Sequence, residues 1–262
     1  MKKKSTINKI TIITPTKNSE RTILSNIKSV QNQTYKNFEH LIIDSISTDK
    51  TLKIIKKSSF KNLKIISEKD DGIYHAINKG INKSSGNIIA ILHSDDFFYK
   101  KTILKKIKDT FEKYRVDAVY GDLIYVGKMN KKKIIRYWKS NEYKEGLFSK
   151  GWAPPHPSFF LKRSIYKKYG TYLTKHENSS DFELMYRLLE KKKINSKYIN
   201  NVLVVMRYGG ASNNKISNII NQNLQILKIL KINGDLIKLS SFLLFKLFHR
   251  FKQFLIVKNL KY

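Results

Sequence analysis

Four times within the first 115 residues, a short β-branched run gives way to a stretch whose apolar residues recur every three or four positions. Residues 9–14 lead into Thr14-Pro15-Thr16 and then Ile23, Leu24, Ile27 and Val30, which share one helical face. The same alternation carries 38–44 into a helix from about 48, 63–68 into 73–81, and 88–93 into 103–111. Strands that alternate with helices predict an α/β fold, a mostly parallel central sheet flanked by helices on both faces.

From Val116 the pattern changes. Residues 116–126 and 134–138 flank Gly127-Lys128-Met129-Asn130 and predict a hairpin. Three of the four prolines fall in Gly151-Trp152-Ala153-Pro154-Pro155-His156-Pro157, a composition suited to an ordered loop. A helix over 182–191 and a strand over 198–207 follow. No repeat and no linker-like stretch divides residues 1–210, which are read as one domain with halves 1–115 and 116–210. Residues 211–262 form a helical extension, with helices over 216–232 and 236–257.

Composition narrows the function classes. The chain has no cysteine, which excludes disulfides, thiolate metal sites and cysteine nucleophiles. Met1-Lys2-Lys3-Lys4 is followed by too short an apolar run for a secretory signal, and Lys238, Lys246, Arg250 and Lys252 interrupt the greasiest region. The expectation is a cytoplasmic protein without a membrane span. Fifty-two Lys and Arg against twenty Asp and Glu leave a net charge of +32, which favours anionic partners. The joint abundance of Lys, Asn and Ile offers a second reading, compositional drift that loads lysine onto any solvated surface.

In an open α/β sheet the ligand sits at the carboxyl ends of the strands. There the scarce acids gather: Asp44 closes the second predicted strand, Glu68 the third with Asp70 and Asp71 behind it, and His93-Ser94-Asp95-Asp96 the fourth. Adjacent carboxylates repel unless a cation joins them, and Mg2+ or Mn2+ commonly bridges one or two carboxylates to substrate phosphates. The alternative is that Asp95 and Asp96 cap the following helix.

The ordered runs Ile13-Thr14-Pro15-Thr16-Lys17-Asn18, Ser29-Val30-Gln31-Asn32-Gln33-Thr34-Tyr35, Ile42-Ile43-Asp44-Ser45, Ser67-Glu68-Lys69-Asp70-Asp71-Gly72-Ile73-Tyr74 and Ser94-Asp95-Asp96 resemble the motifs of family 2 glycosyltransferases. The resemblance covers about residues 8–208. It implies a GT-A fold, a single domain that binds a nucleotide-sugar in its first half and the acceptor in its second. It implies an inverting, metal-dependent transfer from a nucleoside-diphosphate sugar, UDP-linked by preference, to a glycan or lipid-linked hydroxyl in bacterial surface-polysaccharide synthesis. By the same resemblance Thr14, Thr16, Asp44, Glu68, Asp71, Lys79 and Asp95 bind the nucleotide-sugar, and Asp95 and Asp96 the metal, Mn2+ or Mg2+. Two positions depart from the pattern: Ser45 after Asp44, and His93 where Asn or Asp is usual.

A sugar hydroxyl needs a base as the new bond forms. Asp181, in Ser179-Ser180-Asp181-Phe182-Glu183, resembles the family's base motif, and a helix N-cap is its alternative reading. His156 and Arg163 flank Phe159-Phe160-Leu161-Lys162 and are candidate acceptor-binding residues, against a structural role for a histidine in a turn. The last helix repeats Leu236, Leu239, Leu243, Leu247, Phe251 and Phe254 and has no acid after Asp235. It reads as a packed helix, a partner-binding helix, or a peripheral anchor of residues 236–262 on the anionic inner face of the membrane. Three rival functions remain at this point, one of them a glycosyltransferase-like scaffold that binds without turning over. A basic nucleic-acid binder accounts for the charge but not for acids at the strand ends, and a nucleotidyltransferase on a related fold would release pyrophosphate.

Overall fold

The first two strands have no exposed residue: β1 (Ile10–Thr16) and β2 (Phe38–Asp44) are buried at every position. Such burial is expected of parallel strands covered on both faces. Along β1, Ile10 and Ile12 face one core cluster and Ile13 the other, as the two-residue period of a strand requires. A computed structural model describes residues 9–58, 60–127, 133–176, 179–209, 216–235, 239–255 and 257. The turn residues expected at 128–130, together with Gly210, Leu236 and Lys238, lie outside the described residues.

The first half comprises β1, α1 (Ile23–Gln31), β2, α2 (Thr51–Lys57), β3 (Leu63–Ser67), α3 (Ile73–Lys83), β4 (Ile88–Ile91), β5 (Phe97–Phe98) and α4 (Ile103–Tyr114). The remainder holds β6 (Ala118–Val126), β7 (Ile134–Trp138), β8 (Phe159–Lys162), α5 (Arg163–Tyr169), α6 (Ser180–Tyr186), β9 (Ser196–Arg207), α7 (Ile216–Ile232) and α8 (Leu239–Leu255). A π-helical turn, Arg187–Lys191, extends α6. The strands join into one sheet in the order β3-β2-β1-β4-β8-β6-β9-β5, with β7 paired to β6.

Pairing is parallel through β3-β2-β1-β4 and again between β6 and β9, while β8, β7 and β5 enter antiparallel. Strand β8 was hidden in the sequence because its four residues follow the proline-rich loop. It is what welds the two halves: Ile89 pairs with Leu161, and Ala118 with the same Leu161 on the other side. Its reversed direction returns the loop carrying His156 to the carboxyl edge of β4, and it leaves Arg163 at the opposite edge.

Helix α3 lies on β1 at Gly80, where a Cβ would come within 2.5 Å of Ile13 Cγ2. At the other end of the domain α8 packs Phe242 onto Gly151, so the last helix closes over the proline-rich loop.

Candidate active site

At the tips of β1–β3 the loops are tied to one another by side-chain hydrogen bonds. Asp44 is fully buried, and its carboxylate accepts from Ser67 Oγ at 2.8 Å, from the backbone N–H of Ser47 at 3.0 Å and from the Ser47 hydroxyl. Asn18, held in the left-handed region at φ 48°, accepts from the backbone N–H of Thr48 at 2.9 Å. Thr16 lies beside Asp44 in register, its carbonyl accepting from the Ser45 N–H at 2.8 Å. Thr14 turns inward instead, with its hydroxyl 2.9 Å from His40 Nε2 and 3.5 Å from the Asn26 side chain. Lys79 on α3 bridges Glu68 at 3.1 Å and Asp70 at 2.8 Å. The buried acid of that cluster is therefore Asp70, while Asp71 faces solvent at the start of α3.

The backbone of the turn after β4 is pinned from two sides. Asn26, buried on α1, donates from one amide nitrogen to the carbonyls of His93 at 2.8 Å and Asp96 at 3.1 Å. Arg207, at the end of β9, donates to the Asp95 carbonyl and to the Ser25 hydroxyl. Asp96 is buried outright, and neither of its carboxylate oxygens has a hydrogen-bond partner. Burial pushes its pKa well above the usual carboxylate range; the charge of Asp95 adds to this and Arg207 opposes it. A buried acid with both oxygens unpartnered is costly unless something fills that role. A hard divalent cation suits two adjacent carboxylates. Among the described residues no cluster of three or more His, Asp or Glu could hold a metal by itself, so waters and substrate phosphates would complete the coordination.

Asp181 stands in the first turn of α6, inside the helix rather than at its cap, which is Ser179. Its Oδ1 accepts from the Tyr74 hydroxyl at 3.2 Å. Tyr74 stacks on Tyr172 at 5.5 Å, and the Tyr172 hydroxyl lies 2.7 Å from His156 Nε2. The His156 ring is in turn 5.9 Å from that of His93. Burial lowers the pKa of His156 to about 4, with Asp181 pulling the other way. At neutral pH the ring is uncharged. Asp181, His156 and the turn after β4 are thus joined by alternating hydrogen bonds and ring contacts across the two halves. Arg163 is not part of it, which corrects the expectation of an acceptor contact. It follows Lys162, which pairs with Ile88 at the amino end of β4, and its guanidinium donates to the Ser84 carbonyl at 2.6 Å.

A cavity of about 240 Å³ opens between β6, β7, the proline-rich loop, α6 and α8. His93 and Asp181 line it, together with Tyr125, Arg136, Lys246 and Arg250. These last four were not singled out from the sequence. Arg136 is the inward residue of β7, and its place follows from pairing with Tyr125 across the β6–β7 ladder. Lys246 reaches the cavity only because α8 folds back over the loop, and one lysine in so basic a chain carries no local signal.

The family model for glycosyl transferase family 2 matches residues 11–170. The chain belongs to this family. This glycosyltransferase is 26% identical over 207 residues to a PGL/p-HBAD biosynthesis glycosyltransferase of Mycobacterium bovis, covering 77% of the chain and 78% of that protein. Among solved structures it is similar to S. aureus TarS 1-349 in complex with UDP-GlcNAc, with a TM-score of 0.62 and 18% identity over 93% of the chain and 73% of that fragment. The chain spans 43% of the longer TarS chain. It also resembles the mannosyltransferase PcManGT from Pyrobaculum calidifontis, solved with GDP-Man and Mn2+, with a TM-score of 0.55 and 16% identity over 95% of the chain and 85% of that protein. These likenesses establish the GT-A-type fold, a mixed α/β domain.

Proposed function

We propose that this glycosyltransferase moves a monosaccharide, a hexosyl or N-acetylhexosaminyl group, from a nucleoside-diphosphate sugar to a hydroxyl of a glycan or lipid-linked acceptor, with inversion. The observation that carries the reading is a pair of carboxylate sites that meet at His93: the unpartnered Asp96, whose backbone N–H donates to the His93 carbonyl at 2.9 Å, and Asp181, which lines the same cavity as His93. The nucleoside lies along the β1–β2 edge, where Thr16 and Asp44 are fixed by their loops. UDP-GlcNAc bound to TarS and GDP-Man bound to PcManGT support a nucleotide-sugar donor, with UDP the preferred nucleotide.

The acceptor oxygen attacks the anomeric carbon from the side opposite the diphosphate. The carbon–oxygen bond to the phosphate breaks, its electron pair leaves with the nucleoside diphosphate, and the acceptor proton passes to an Asp181 oxygen. Tyr74 positions that carboxylate by donating to Oδ1. Asp95 and Asp96 would hold Mn2+ or Mg2+, which neutralises charge on the departing diphosphate.

A panel of UDP- and GDP-sugars with Mn2+ or Mg2+, read by donor binding and by release of nucleoside diphosphate, tests this. Asp181→Asn is expected to bind donor normally and to lose transfer by about 10²-fold or more. Asp96→Asn is expected to lose metal-dependent donor binding while remaining folded. Full transfer by the first variant removes Asp181 as the base, and unchanged donor affinity in the second removes the metal assignment. Release of pyrophosphate in place of nucleoside diphosphate would identify a nucleotidyltransferase.

A further inference from the structure

Helix α8 is amphipathic in the reverse of the usual sense. At 100° per residue, Leu244, Leu247, Phe248, Phe251 and Leu255 form one stripe, and all five are exposed, Leu244 at 67%. The opposite face, which packs on the domain, carries Lys246, His249, Arg250 and Gln253 behind Phe242, and these four polar residues line the cavity that holds Asp181. A helix that merely covered a core would do the opposite, turning apolar residues in and cations out.

The inward cations meet a third. Arg136 is only 8% exposed; its Nε donates to Gln253 Oε1, and its guanidinium lies 4.8 Å from the centre of the Tyr125 ring and 5.2 Å from that of Trp138. Lys246 Nζ donates to Asn223 Oδ1 at 2.6 Å. Among the described residues, no carboxylate comes within ion-pair distance of Arg136, Lys246 or Arg250. Burial lowers the pKa of Lys246 to about 8, with Arg250 adding to the fall and Asp181 opposing it. Burial likewise lowers that of Arg136, with Arg250 contributing. One buried and two half-buried cations converging on a cavity without counter-ions are costly in the free protein, and a dianionic ligand that enters the cavity lowers that cost. The nucleotide edge does not need them, because Thr16, Asp44 and Ser67 lie outside this cavity. Among the described residues of the first half, only His93 lines it.

We propose that Arg136, Lys246 and Arg250 form a site for the phosphate or diphosphate of an amphiphilic acceptor, whose apolar chain leaves the cavity along the exposed face of α8. The proposal rests on the transfer reading above and specifies its acceptor: a phosphorylated lipid whose sugar or hydroxyl end lies toward Asp181. Leu244, Leu247, Phe248 and Phe251 lie on the outer face of the same helical turns whose inner face carries Lys246 and Arg250, so one helix offers a charged surface for a head group and an apolar surface for a tail.

The test is calorimetric titration of the full chain with geranyl diphosphate in EDTA, so that no divalent ion can recruit the diphosphate to Asp95 and Asp96. Wild type is expected to bind geranyl diphosphate, and inorganic pyrophosphate more weakly for want of a tail. The Lys246→Met, Arg250→Gln double variant is expected to lose at least about 10-fold in affinity, the scale of a lost charge-assisted contact. Arg250→Gln alone, at a half-buried position, should lose part of this if the double variant fails to fold, and thermal melts establish which variants are folded. Asp96→Asn should titrate as wild type. The inference fails if wild type does not bind geranyl diphosphate, if the folded variants bind it undiminished, or if only Asp96→Asn weakens it, which would assign the anion to the donor. It also fails if the double variant changes binding to phosphatidylglycerol vesicles alone, since the cations would then read bulk headgroups. None of these results touches the Asp181→Asn assay, so the transfer reading stands or falls separately.

Discussion

His40 shows how a strand residue can stabilise the β1–β2 edge and sensitise it to acid. It is wholly buried on β2; its Nε2 faces the Thr14 hydroxyl and its Nδ1 has no partner. Burial lowers its pKa from 6.5 to about 3. The unfolded chain therefore takes up a proton below pH 6.5 that the folded chain refuses until about pH 3, and stability falls as pH drops through that window. Its neighbour Glu39 acts in the same direction at lower pH. Burial would raise that carboxyl, but hydrogen bonds from Thr11, Ser85 and Lys9 outweigh it and hold the pKa at about 2, so its contribution is lost below about 4.5. Between pH 7 and pH 5 one such imidazole accounts for roughly 2 kcal/mol. His40→Gln is accordingly expected to be less stable at pH 7 but to lose roughly 2 kcal/mol less than wild type on acidification to pH 5, measured by urea unfolding at both values. Equal losses would show that His40 does not titrate on unfolding. At this scale the acids of the candidate site were legible in the sequence, because a carboxylate at the end of a buried strand is costly to desolvate unless a ligand or a donor meets it. The buried residues that pin them, Asn26 and Arg207, were not. Each acts across about 70 or more positions of sequence on a turn whose path the sequence does not state.

Among the elements, α3 shows a conflict that local propensity alone would misjudge. Gly80 lies inside the helix, where replacing glycine by alanine ordinarily gains about 1 kcal/mol. The added Cβ, however, would stand 2.5 Å from Ile13 Cγ2 and 3.2 Å from its Cδ1, in the middle of a fully buried strand. Overpacking of that kind costs about 1–3 kcal/mol, and Ile13 has packed neighbours on every side to resist displacement. Gly80→Ala is therefore expected to destabilise the domain by about 1 kcal/mol net, read from the midpoint of urea unfolding. A gain in stability would mean that α3 slides on β1 more freely than its packing implies. The helical period of α3 was plain in the sequence, as were the strands up to β4, since each is a local pattern. Short β5 and β8 were not, because two and four residues are too few to establish a period and their places come from pairing with β9, β4 and β6. Helix α8 was legible as basic and amphipathic. The turning of its cations toward Asp181 depends on the docking of Phe242 at Gly151, a contact 91 positions apart in sequence.

At the scale of the whole molecule, a high net charge and an exposed apolar stripe occur together. The chain carries a net +32, and no helix among the described residues is long and apolar enough to cross a membrane. Yet α8 exposes Leu244, Leu247 and Phe251 at more than 60% each, and α7 exposes Leu224 at 59%. An apolar stripe of this extent on an otherwise basic surface suits shallow insertion among acyl chains, with the charge drawing the molecule to anionic lipid. Peripheral attachment to the inner face of a bacterial membrane would then bring the cavity of Asp181 to the lipid surface from which a phosphorylated acceptor is taken. The two contributions separate by salt and by side chain. Electrostatic attraction to phosphatidylglycerol vesicles should weaken between about 0.1 M and about 0.5 M NaCl, whereas insertion should persist. Replacing Leu244, Leu247 and Phe251 together by serine leaves the inward face of α8 intact. Burying each of these side chains is worth about 1.5–3 kcal/mol at full depth, so partial insertion of three predicts at least a ~10-fold loss of vesicle partitioning at the higher salt. Co-sedimentation with phosphatidylglycerol and phosphatidylcholine vesicles measures both. Undiminished partitioning by the triple variant would mean that the stripe does not enter the bilayer, and that net charge alone holds the protein at the surface.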